Sequence, residues 1–331
     1  MQYRQLGTSD VQVTPVALGA WAIGGWLWGG TDDAAAMAGI RKAVDLGMTT
    51  IDTAPVYGFG HSETVVGQTI QGRRDRVQLL TKFGLRWDLT EGKRHFATHD
   101  NQGRPVTIYQ YAGQESVVEE CERSLRRLGT DHIDLYQQHW PDPTTPVEDT
   151  MEACARLLKQ GKIRAVGLSN HGPDLMDRAR TVVPLAANQP PYSMLRRGIE
   201  KDVVPYCREN HIGLVVYSSL QNGILSGKVQ MDRTFPETDL RSHNPYYRPE
   251  NRRRILGFLD AAVRPAAEAH QATIAQVVLN WTIHRPGITT ALVGVRNPAQ
   301  AADNAGAAAF TLTPAETAAI DDALDELTLE L

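Results

Sequence analysis

Cysteine is scarce in this sequence, and its scarcity excludes a disulfide framework. The chain of 331 residues has three cysteines, Cys121, Cys154 and Cys207, and no two of them form a C-x-x-C pair. A small, odd and scattered set is typical of reduced thiols in a cytoplasmic protein, and it lacks the spacing of a zinc site. We therefore predict a cytoplasmic protein that holds no metal.

Long apolar runs and blocks of like charge are missing as well. No run reaches the roughly 18 apolar residues that a membrane-spanning helix needs, and residues 1–5 lack the apolar centre of a signal peptide. The net charge is −4. The one dense basic cluster, residues 251–254, precedes a helical pattern, and we expect it to face solvent in the first turn of that helix. We expect neither a membrane nor a nucleic acid as a partner. Nothing in the sequence indicates an oligomeric state.

Strand-like and helix-like patterns alternate along the chain, which we interpret as one domain over residues 1–331. A turn cluster at residues 7–10 separates two short β-like runs and predicts a hairpin that covers one end of the fold. Eight apolar strand-like runs follow, at residues 15–19, 48–51, 77–81, 133–137, 163–167, 185–188, 214–217 and 289–293. Helical periodicity is found near residues 31–46, 62–71, 115–128, 146–159, 173–180, 200–210 and 252–284, and in a last helix after Thr313.

Eight strands that are each followed by a helix predict a closed (β/α)8 TIM barrel of the α/β class. The competing architecture is an open doubly wound sheet. It is disfavoured because no G-x-G-x-x-G follows any strand. The connections after the third and seventh strands, residues 82–113 and 221–249, are longer than a barrel requires, and we expect them to form the walls of a substrate pocket.

Ionisable side chains stand where three neighbouring strands end. Asp52 and Tyr57 follow the second strand, Lys82 follows the third and His139 follows the fourth. Taken singly, each has an ordinary structural explanation, as a turn cap, a half-buried aromatic, a lysine reaching for water or a packed histidine. Because the carboxyl ends of barrel strands meet on one rim, we predict instead that all four converge there.

Such a group has the composition of a proton-donating device. A phenol has a pKa of about 10, roughly three units too weak an acid for efficient transfer at neutral pH, and a nearby ammonium lowers it. Asp52 keeps Lys82 charged and oriented, while His139 hydrogen-bonds the substrate oxygen on which charge develops. The device would protonate a carbonyl oxygen as a hydride reaches its carbon, and would run backwards to oxidise an alcohol.

Several segments together resemble the aldo-keto reductase family. They are Gly19-Ala20-Trp21, Asp52-Thr53-Ala54-Pro55-Val56-Tyr57-Gly58, Ser62-Glu63, Thr81-Lys82, residues 124–129, residues 131–139 and residues 161–170. The resemblance implies a barrel with a catalytic tetrad of Asp52, Tyr57, Lys82 and His139, in which Tyr57 is the general acid. The long loop after the third strand and the short tail resemble the bacterial general-stress and sugar-related branch.

The resemblance also implies a nicotinamide cofactor extended across the rim. Ser169, Asn170 and Gln189 would hold the carboxamide and Tyr217 would stack on the nicotinamide ring, roles that suit small polar groups and a flat phenol. The residues implied around the pyrophosphate are Ser218, Ser219, Leu220, Gly223, Gly227 and Lys228. The remaining implied cofactor contacts are Gly19, Ala20, Trp21, Asp52 and Gly294. Many members have proline where this chain has Ser219.

Near the end of the chain, residues 294–300 pass from the eighth strand into a helix whose amino end favours anions. A solvated arginine beside a capped helix is the plain interpretation of Arg296. By the resemblance, Arg296 matches the position that binds the 2′-phosphate of NADP, and guanidinium geometry suits that role. Gln300, Asp303 and Asn304 match residues around the adenine. We therefore predict NADP(H) rather than NAD(H).

The leading hypothesis is an NADP(H)-dependent oxidoreductase that reduces aldehyde, ketone or sugar carbonyls to alcohols, reversibly. A second hypothesis is a cofactor-sensing subunit of the potassium-channel beta type with little turnover. No appended segment indicates a surface that would bind a partner protein. A Schiff-base aldolase using Lys82 is a third, which Asp52 disfavours by keeping the amine charged. The physiological substrate is not identified by the sequence. Six aromatic residues, Trp21, Trp26, Trp28, Phe59, Trp87 and Trp140, either line a pocket or pack the loops.

Overall fold

Eight parallel strands close into a barrel in the computed structural model, which describes residues 1–331. The strands of the chain are β1 (Arg4–Gln5), β2 (Gln12–Val13), β3 (Val16–Gly19), β4 (Thr50–Asp52), β5 (Gln78–Phe83), β6 (Leu85–Arg86), β7 (Lys93–His99), β8 (Pro105–Gln110), β9 (Ile133–Gln138), β10 (Ile163–Ser169), β11 (Leu185–Gln189), β12 (Gly213–Val216) and β13 (Ile288–Gly294). The barrel runs β3-β4-β5-β9-β10-β11-β12-β13 and back to β3. The predicted α/β class and TIM-barrel architecture are confirmed.

Helices alternate with these strands around the outside. They are α1 (Asp33–Asp45), α2 (His61–Ile70), α3 (Gln114–Leu128), α4 (Val147–Lys159), α5 (Pro173–Arg180), α6 (Val203–Glu209), α7 (Pro249–Phe258), α8 (Arg264–Ala269), α9 (Ile274–Ile283), α10 (Pro298–Gly306) and α11 (Pro314–Glu326). Apolar faces of the helices and the outward faces of the strands form the main core, in which Trp281 and Tyr136 are the largest fully buried aromatic side chains. No helix is both long and apolar enough to cross a membrane.

The predicted hairpin is present and covers the amino end of the barrel. β1 and β2 pair antiparallel, and Leu6, Val11 and Val13 are fully buried in a cluster with inward-facing barrel residues such as Leu80 and Val215. Because this plug and the packed interior fill one end, the opposite rim, where the strands finish, is left for a site.

The helical pattern predicted near residues 252–284 is present but interrupted, because the chain divides it into α7, α8 and α9. α7 passes through a π-helical turn at Leu259–Val263 into α8, which begins beside a proline. Gln271 then adopts a positive φ of 51°, which ends α8. Thr273 and Gln276 form a reciprocal capping box that starts α9. Apolar periodicity continues across the break, so it does not mark the boundary.

Both long connections have structure of their own. The connection after β5 folds into a three-stranded antiparallel sheet in the order β6-β8-β7. Two hydrogen bonds connect this sheet to the loop after β3. The Trp26 indole N–H donates to Thr98 Oγ1 at 3.2 Å, and the Asn101 side-chain amide donates to the Gly24 carbonyl at 2.9 Å. The connection after β12 is a series of short 3₁₀ turns, and its Leu240 N–H donates to the Leu27 carbonyl at 3.1 Å.

Candidate active site

Asp52 and Tyr57 are placed by a turn that begins where β4 ends. The Thr53 N–H donates to the Leu80 carbonyl of β5 at 2.9 Å and ties the start of the turn to the barrel. Gly58 follows Tyr57 with a φ of 68°, and a Cβ there would lie 2.2 Å from the Gly24 carbonyl oxygen. A glycine is therefore required at that position, where the turn after Tyr57 packs against the backbone of the loop after β3.

Lys82 and Asp52 form an ion pair inside the barrel. Lys82 lies in β5, the neighbour of β4, and its Nζ donates to Asp52 Oδ1 at 2.5 Å, to the Thr53 carbonyl at 3.0 Å and to the Tyr57 hydroxyl at 3.2 Å. The Lys82 side chain is fully buried. Because its amine is held by three oxygens and does not face the cavity, a substrate carbonyl cannot reach it, which removes the aldolase hypothesis.

The environment of Tyr57 differs from our expectation in one respect. We expected Lys82 to lower the pKa of the phenol. Instead burial, followed by the negative charge of Asp52, raises the pKa of Tyr57 well above its ordinary value. Burial is the larger cause of the raised pKa, and Asp52, which lies against Lys82, adds its negative charge near the phenol. Burial likewise lowers the pKa of Lys82, although Asp52 opposes that effect. Tyr57 is therefore held as a protonated donor at neutral pH.

His139 completes the predicted tetrad. It follows β9 directly, and its ring lies edge-on to the Tyr57 ring with centroids 5.7 Å apart. Burial, and then the charge of Lys82, lower the pKa of His139 well below its ordinary value, so the imidazole is neutral at neutral pH. A neutral imidazole beside the phenol can hydrogen-bond a substrate oxygen without taking the proton that Tyr57 donates.

A cavity of about 630 Å³ opens at this rim and extends along it. Tyr57 and His139 line it, and so does every predicted cofactor residue except Gly227. Gly227 instead turns the chain at a φ of 72°, with Ile274 packed 2.8 Å from the position of a Cβ. The cavity thus joins the catalytic group to the region predicted for the dinucleotide.

The residues present fit an extended dinucleotide at both ends of the cavity. Ser219 is 1% exposed and its hydroxyl has no hydrogen-bond partner, so a buried donor remains unpaired in the stretch predicted to hold the pyrophosphate. Three residues of that stretch, Ser218, Gln221 and Asn222, adopt positive φ angles of 60°, 45° and 56°. At the far end, the guanidinium of Arg296 forms no hydrogen bond or ion pair with the protein and stands at the amino end of α10.

The three residues predicted for the carboxamide are brought together but already bonded to one another. Ser169 donates to the Gln189 carbonyl at 2.8 Å, and the Asn170 amide donates to the His139 carbonyl at 3.0 Å. The Tyr217 hydroxyl donates to Asn170 Oδ1 at 2.9 Å. Gln189 donates to Asp52 Oδ2 at 2.9 Å. The predicted cofactor end is therefore linked to the catalytic ion pair by hydrogen bonds.

Four of the six aromatic residues named from the sequence line the cavity, and the other two pack against each other. Trp21, Trp26, Trp28 and Trp140 line the cavity. Phe59 and Trp87 do not. They pack against each other edge-on, with centroids 5.5 Å apart. Phe96 stacks on Trp26 and adds a further aromatic wall from the inserted sheet. Arg241 also contributes, lying 4.3 Å from the centre of the Phe235 ring.

Sequence reasoning missed one residue of the site, Gln137, and placed another, His95, only within a predicted pocket wall. Gln137 is fully buried and donates to Asp52 Oδ2 at 3.2 Å. An amide within the buried strand β9 was the available signal, since a strand interior rarely holds a polar side chain without a partner. His95 lines the cavity from β7. The predicted pocket wall, residues 82–113, contains it, but the inward direction of its side chain depends on a local irregularity of the inserted sheet.

Three comparisons with known proteins agree with this geometry. The sequence profile of the Aldo/keto reductase family matches residues 15–325. The chain is 40% identical over 302 residues to the aldo-keto reductase YhdN of Bacillus subtilis, covering 91% of this chain and 86% of that protein. It is 33% identical to the NADH-specific methylglyoxal reductase of Escherichia coli over 317 residues, covering 94% of each. The structure of the glycerol dehydrogenase AKR11B4 from Gluconobacter oxydans superposes with a TM-score of 0.87 at 38% identity, covering 98% of this chain and 95% of that one.

Proposed function

The chain belongs to the aldo/keto reductase family, and on that premise we propose that it reduces aldehyde, ketone or sugar carbonyls to alcohols, reversibly, with NADP(H). Tyr57 gives its proton to the carbonyl oxygen, and a hydride to the carbonyl carbon is what the bound nicotinamide contributes. The observation that carries the proposal is the position of the Tyr57 hydroxyl, which is 3.2 Å from the Lys82 ammonium in a side chain that lines the cavity.

The direct test is oxidation of NADPH, followed by absorbance, against a panel of aldehydes, ketones and sugars. We expect carbonyl-dependent oxidation with at least one small member of the panel, because relatives of this chain include a glycerol dehydrogenase and a methylglyoxal reductase. Tight binding of NADPH with no carbonyl-dependent oxidation would instead favour a cofactor-sensing subunit. We also propose a cytoplasmic location, which the three free and buried cysteines support.

The preference for NADP(H) is supported by the charge around Arg296. Its guanidinium has no acceptor in the protein, and Arg233 and Arg241 line the same cavity. Burial, followed by repulsion from Arg241, lowers the pKa of Arg296, so an anion would relieve a local excess of positive charge. An adenosine 2′-phosphate is such an anion, and NAD(H) lacks it. A relative of this chain is NADH-specific, so the preference needs its own test.

Arg296→Ala tests the preference. We expect the KM for NADPH to rise by about 10- to 100-fold, the equivalent of a lost hydrogen bond between charged groups. The KM for NADH should change by less than about threefold, because that cofactor has no phosphate for the guanidinium to bind. The exposed Arg253→Ala on α7 is the matched control and should change neither value. Equal effects of Arg296→Ala on both cofactors would contradict the assignment.

A further inference from the structure

His95 stands at a β-bulge that turns its side chain toward the reaction site. Across the β7·β8 pair, Arg94 is opposite Tyr109 and Phe96 is opposite Ile108, so β7 advances two residues where β8 advances one. Neighbouring residues of a regular strand face opposite sides. A bulge removes that alternation and re-aims a side chain. As a result both His95 and Phe96 line the cavity.

The His95 ring is held by aromatic neighbours, while its nitrogens remain free. Its centroid is 5.4 Å from that of Trp140 and 4.9 Å from that of Phe96, and the side chain is half-buried. Neither ring nitrogen hydrogen-bonds to the protein. Burial, followed by the charge of Lys93, lowers the pKa of His95, so the ring is neutral at neutral pH. A neutral imidazole offers one donor and one acceptor.

Aromatic side chains surround the His95 ring. Trp140 and Phe96 lie against the His95 ring, Trp26 stacks on Phe96, and all three line the cavity. Trp140 follows His139 in the chain, so the wall that holds His95 is continuous with the group that faces the reacting oxygen. Aromatic walls exclude water and strengthen any hydrogen bond made inside them.

We propose that His95 binds a second oxygen of the substrate, and that the enzyme prefers small carbonyl compounds with a hydroxyl or keto group next to the reacting carbonyl. This inference rests on the proposed function. In it, Tyr57 and His139 bind the oxygen that is reduced, and His95 binds the oxygen beside it. Compounds without that neighbouring oxygen leave the imidazole unpaired and are poorer substrates.

The test compares lactaldehyde with propanal, which differ by one hydroxyl, in the wild type and in His95→Phe. Phenylalanine keeps the aromatic contact with Trp140 and removes both nitrogens. We expect kcat/KM for lactaldehyde to fall about 3- to 10-fold, the worth of one neutral hydrogen bond, and kcat/KM for propanal to change by less than about twofold. His95→Gln should recover part of the loss. His99→Phe on the same strand is exposed and serves as the control.

The outcomes separate this inference from the proposed function. If the wild type reduces both aldehydes but His95→Phe affects them equally, the subsite is refuted and the carbonyl reductase stands. If the wild type reduces neither aldehyde nor any other carbonyl, both fail together. A wild type that does not prefer lactaldehyde over propanal also refutes the subsite.

A second and independent observation concerns Gln137. Gln137 of β9 lies directly opposite Lys82 of β5 in the register of the barrel. Its amide donates to Asp52 Oδ2 at 3.2 Å, and its Oε1 lies 3.2 Å from the Gln189 amide nitrogen. On its other side is Gly167, where a Cβ would come within 3.0 Å of the Gln137 side chain. The Gln137 side chain is therefore closely packed at this position in the barrel.

The geometry points to Gln137 as a positioning residue for the catalytic ion pair. Lys82 donates to Oδ1 of Asp52, and the side-chain amides of Gln137 and Gln189 both donate to Oδ2. Two donors on a buried carboxylate fix its rotation and offset the cost of burying its charge. If Gln137 is removed, Gln189 is the one amide left on that oxygen, and the orientation of Asp52 against Lys82 is less well fixed. The effect then reaches the substrate through Tyr57, with no contact between Gln137 and the substrate.

Gln137→Met keeps the length of the side chain and removes the donor. We expect kcat to fall about 10- to 100-fold, since the lost bond is to a charged group. The solvent deuterium isotope effect on kcat should increase, because proton transfer from Tyr57 becomes slower. The Kd for NADPH should stay close to the wild type, while the Tm should fall because one donor to the buried carboxylate is lost. Gln138→Met is the matched control, because Gln138 is buried on the same strand and its Oε1 has no partner. An unchanged kcat or isotope effect, or a loss equal to that of Gln138→Met, would overturn the role.

Discussion

Replacing Tyr57 with phenylalanine should lower kcat for carbonyl reduction by about 10²- to 10⁴-fold, the contribution of a positioned general acid. The substitution removes one oxygen, and that oxygen is the hydroxyl 3.2 Å from Lys82 Nζ. The ring contacts should survive, since Trp21 stacks on Tyr57 at 6.0 Å and His139 lies edge-on at 5.7 Å. The loss is therefore expected in the chemical step rather than in folding.

Binding of NADPH provides the control for this variant. The Kd, measured by quenching of protein fluorescence, should remain within about threefold of the wild type, because the phenol oxygen makes no bond that shapes the predicted cofactor end. Single-turnover mixing of the variant with NADPH and substrate then isolates the chemical step. Turnover within a few-fold of the wild type would show that another group donates the proton.

Lys82→Met should remove both activity and a large part of the stability. The side chain is fully buried and its ammonium is 2.5 Å from the Asp52 carboxylate, which is itself 2% exposed. Without the cation, a negative charge remains inside the barrel. Breaking a buried pair in this way costs about 3–5 kcal/mol of the free energy of unfolding. Because Tyr57 then faces the uncompensated charge of Asp52, proton donation should also slow by at least about 10²-fold.

The double variant Asp52→Asn with Lys82→Met separates the two effects. Removing both charges leaves no buried ion, so urea denaturation should show that most of the lost stability returns. The kcat should not recover, because the phenol has lost its cationic neighbour. If the single variant is as stable as the wild type, the ion pair is not the buried contact that the distances indicate. If the double variant regains activity, Lys82 has no role in proton donation.

The convergence of the four residues predicted as a tetrad could be foreseen because it follows from strand order. Parallel neighbours in a barrel end on the same rim, so Asp52, Tyr57 and His139 are brought together once the strands are recognised. The ends of the eight barrel strands lie within two residues of the predicted ones. The apolar runs are short and clearly bounded, and burial on both faces makes their pattern strong.

Properties that depend on local packing were not predictable in this way. The division of residues 252–284 into α7, α8 and α9 depends on a π-helical turn and a capping box, which leave the apolar periodicity unchanged. The raised pKa of Tyr57 depends on how deeply the phenol is buried and on the orientation of Asp52. The inward direction of His95 depends on one extra residue in β7. Each of these three properties depends on small shifts in position or on a single residue.

The sequence by itself determined the barrel, the rim on which the site lies and the four side chains that form the tetrad, because strand periodicity and order along the chain specify them. Only the tertiary structure decided which atoms touch: that Lys82 is held by three oxygens, that Gln137 and Gln189 share one oxygen of Asp52, and that Gly227 turns away from the cavity. Hydrogen bonds depend on distances of a few tenths of an ångström between residues far apart in the chain, and periodicity contains no information at that scale.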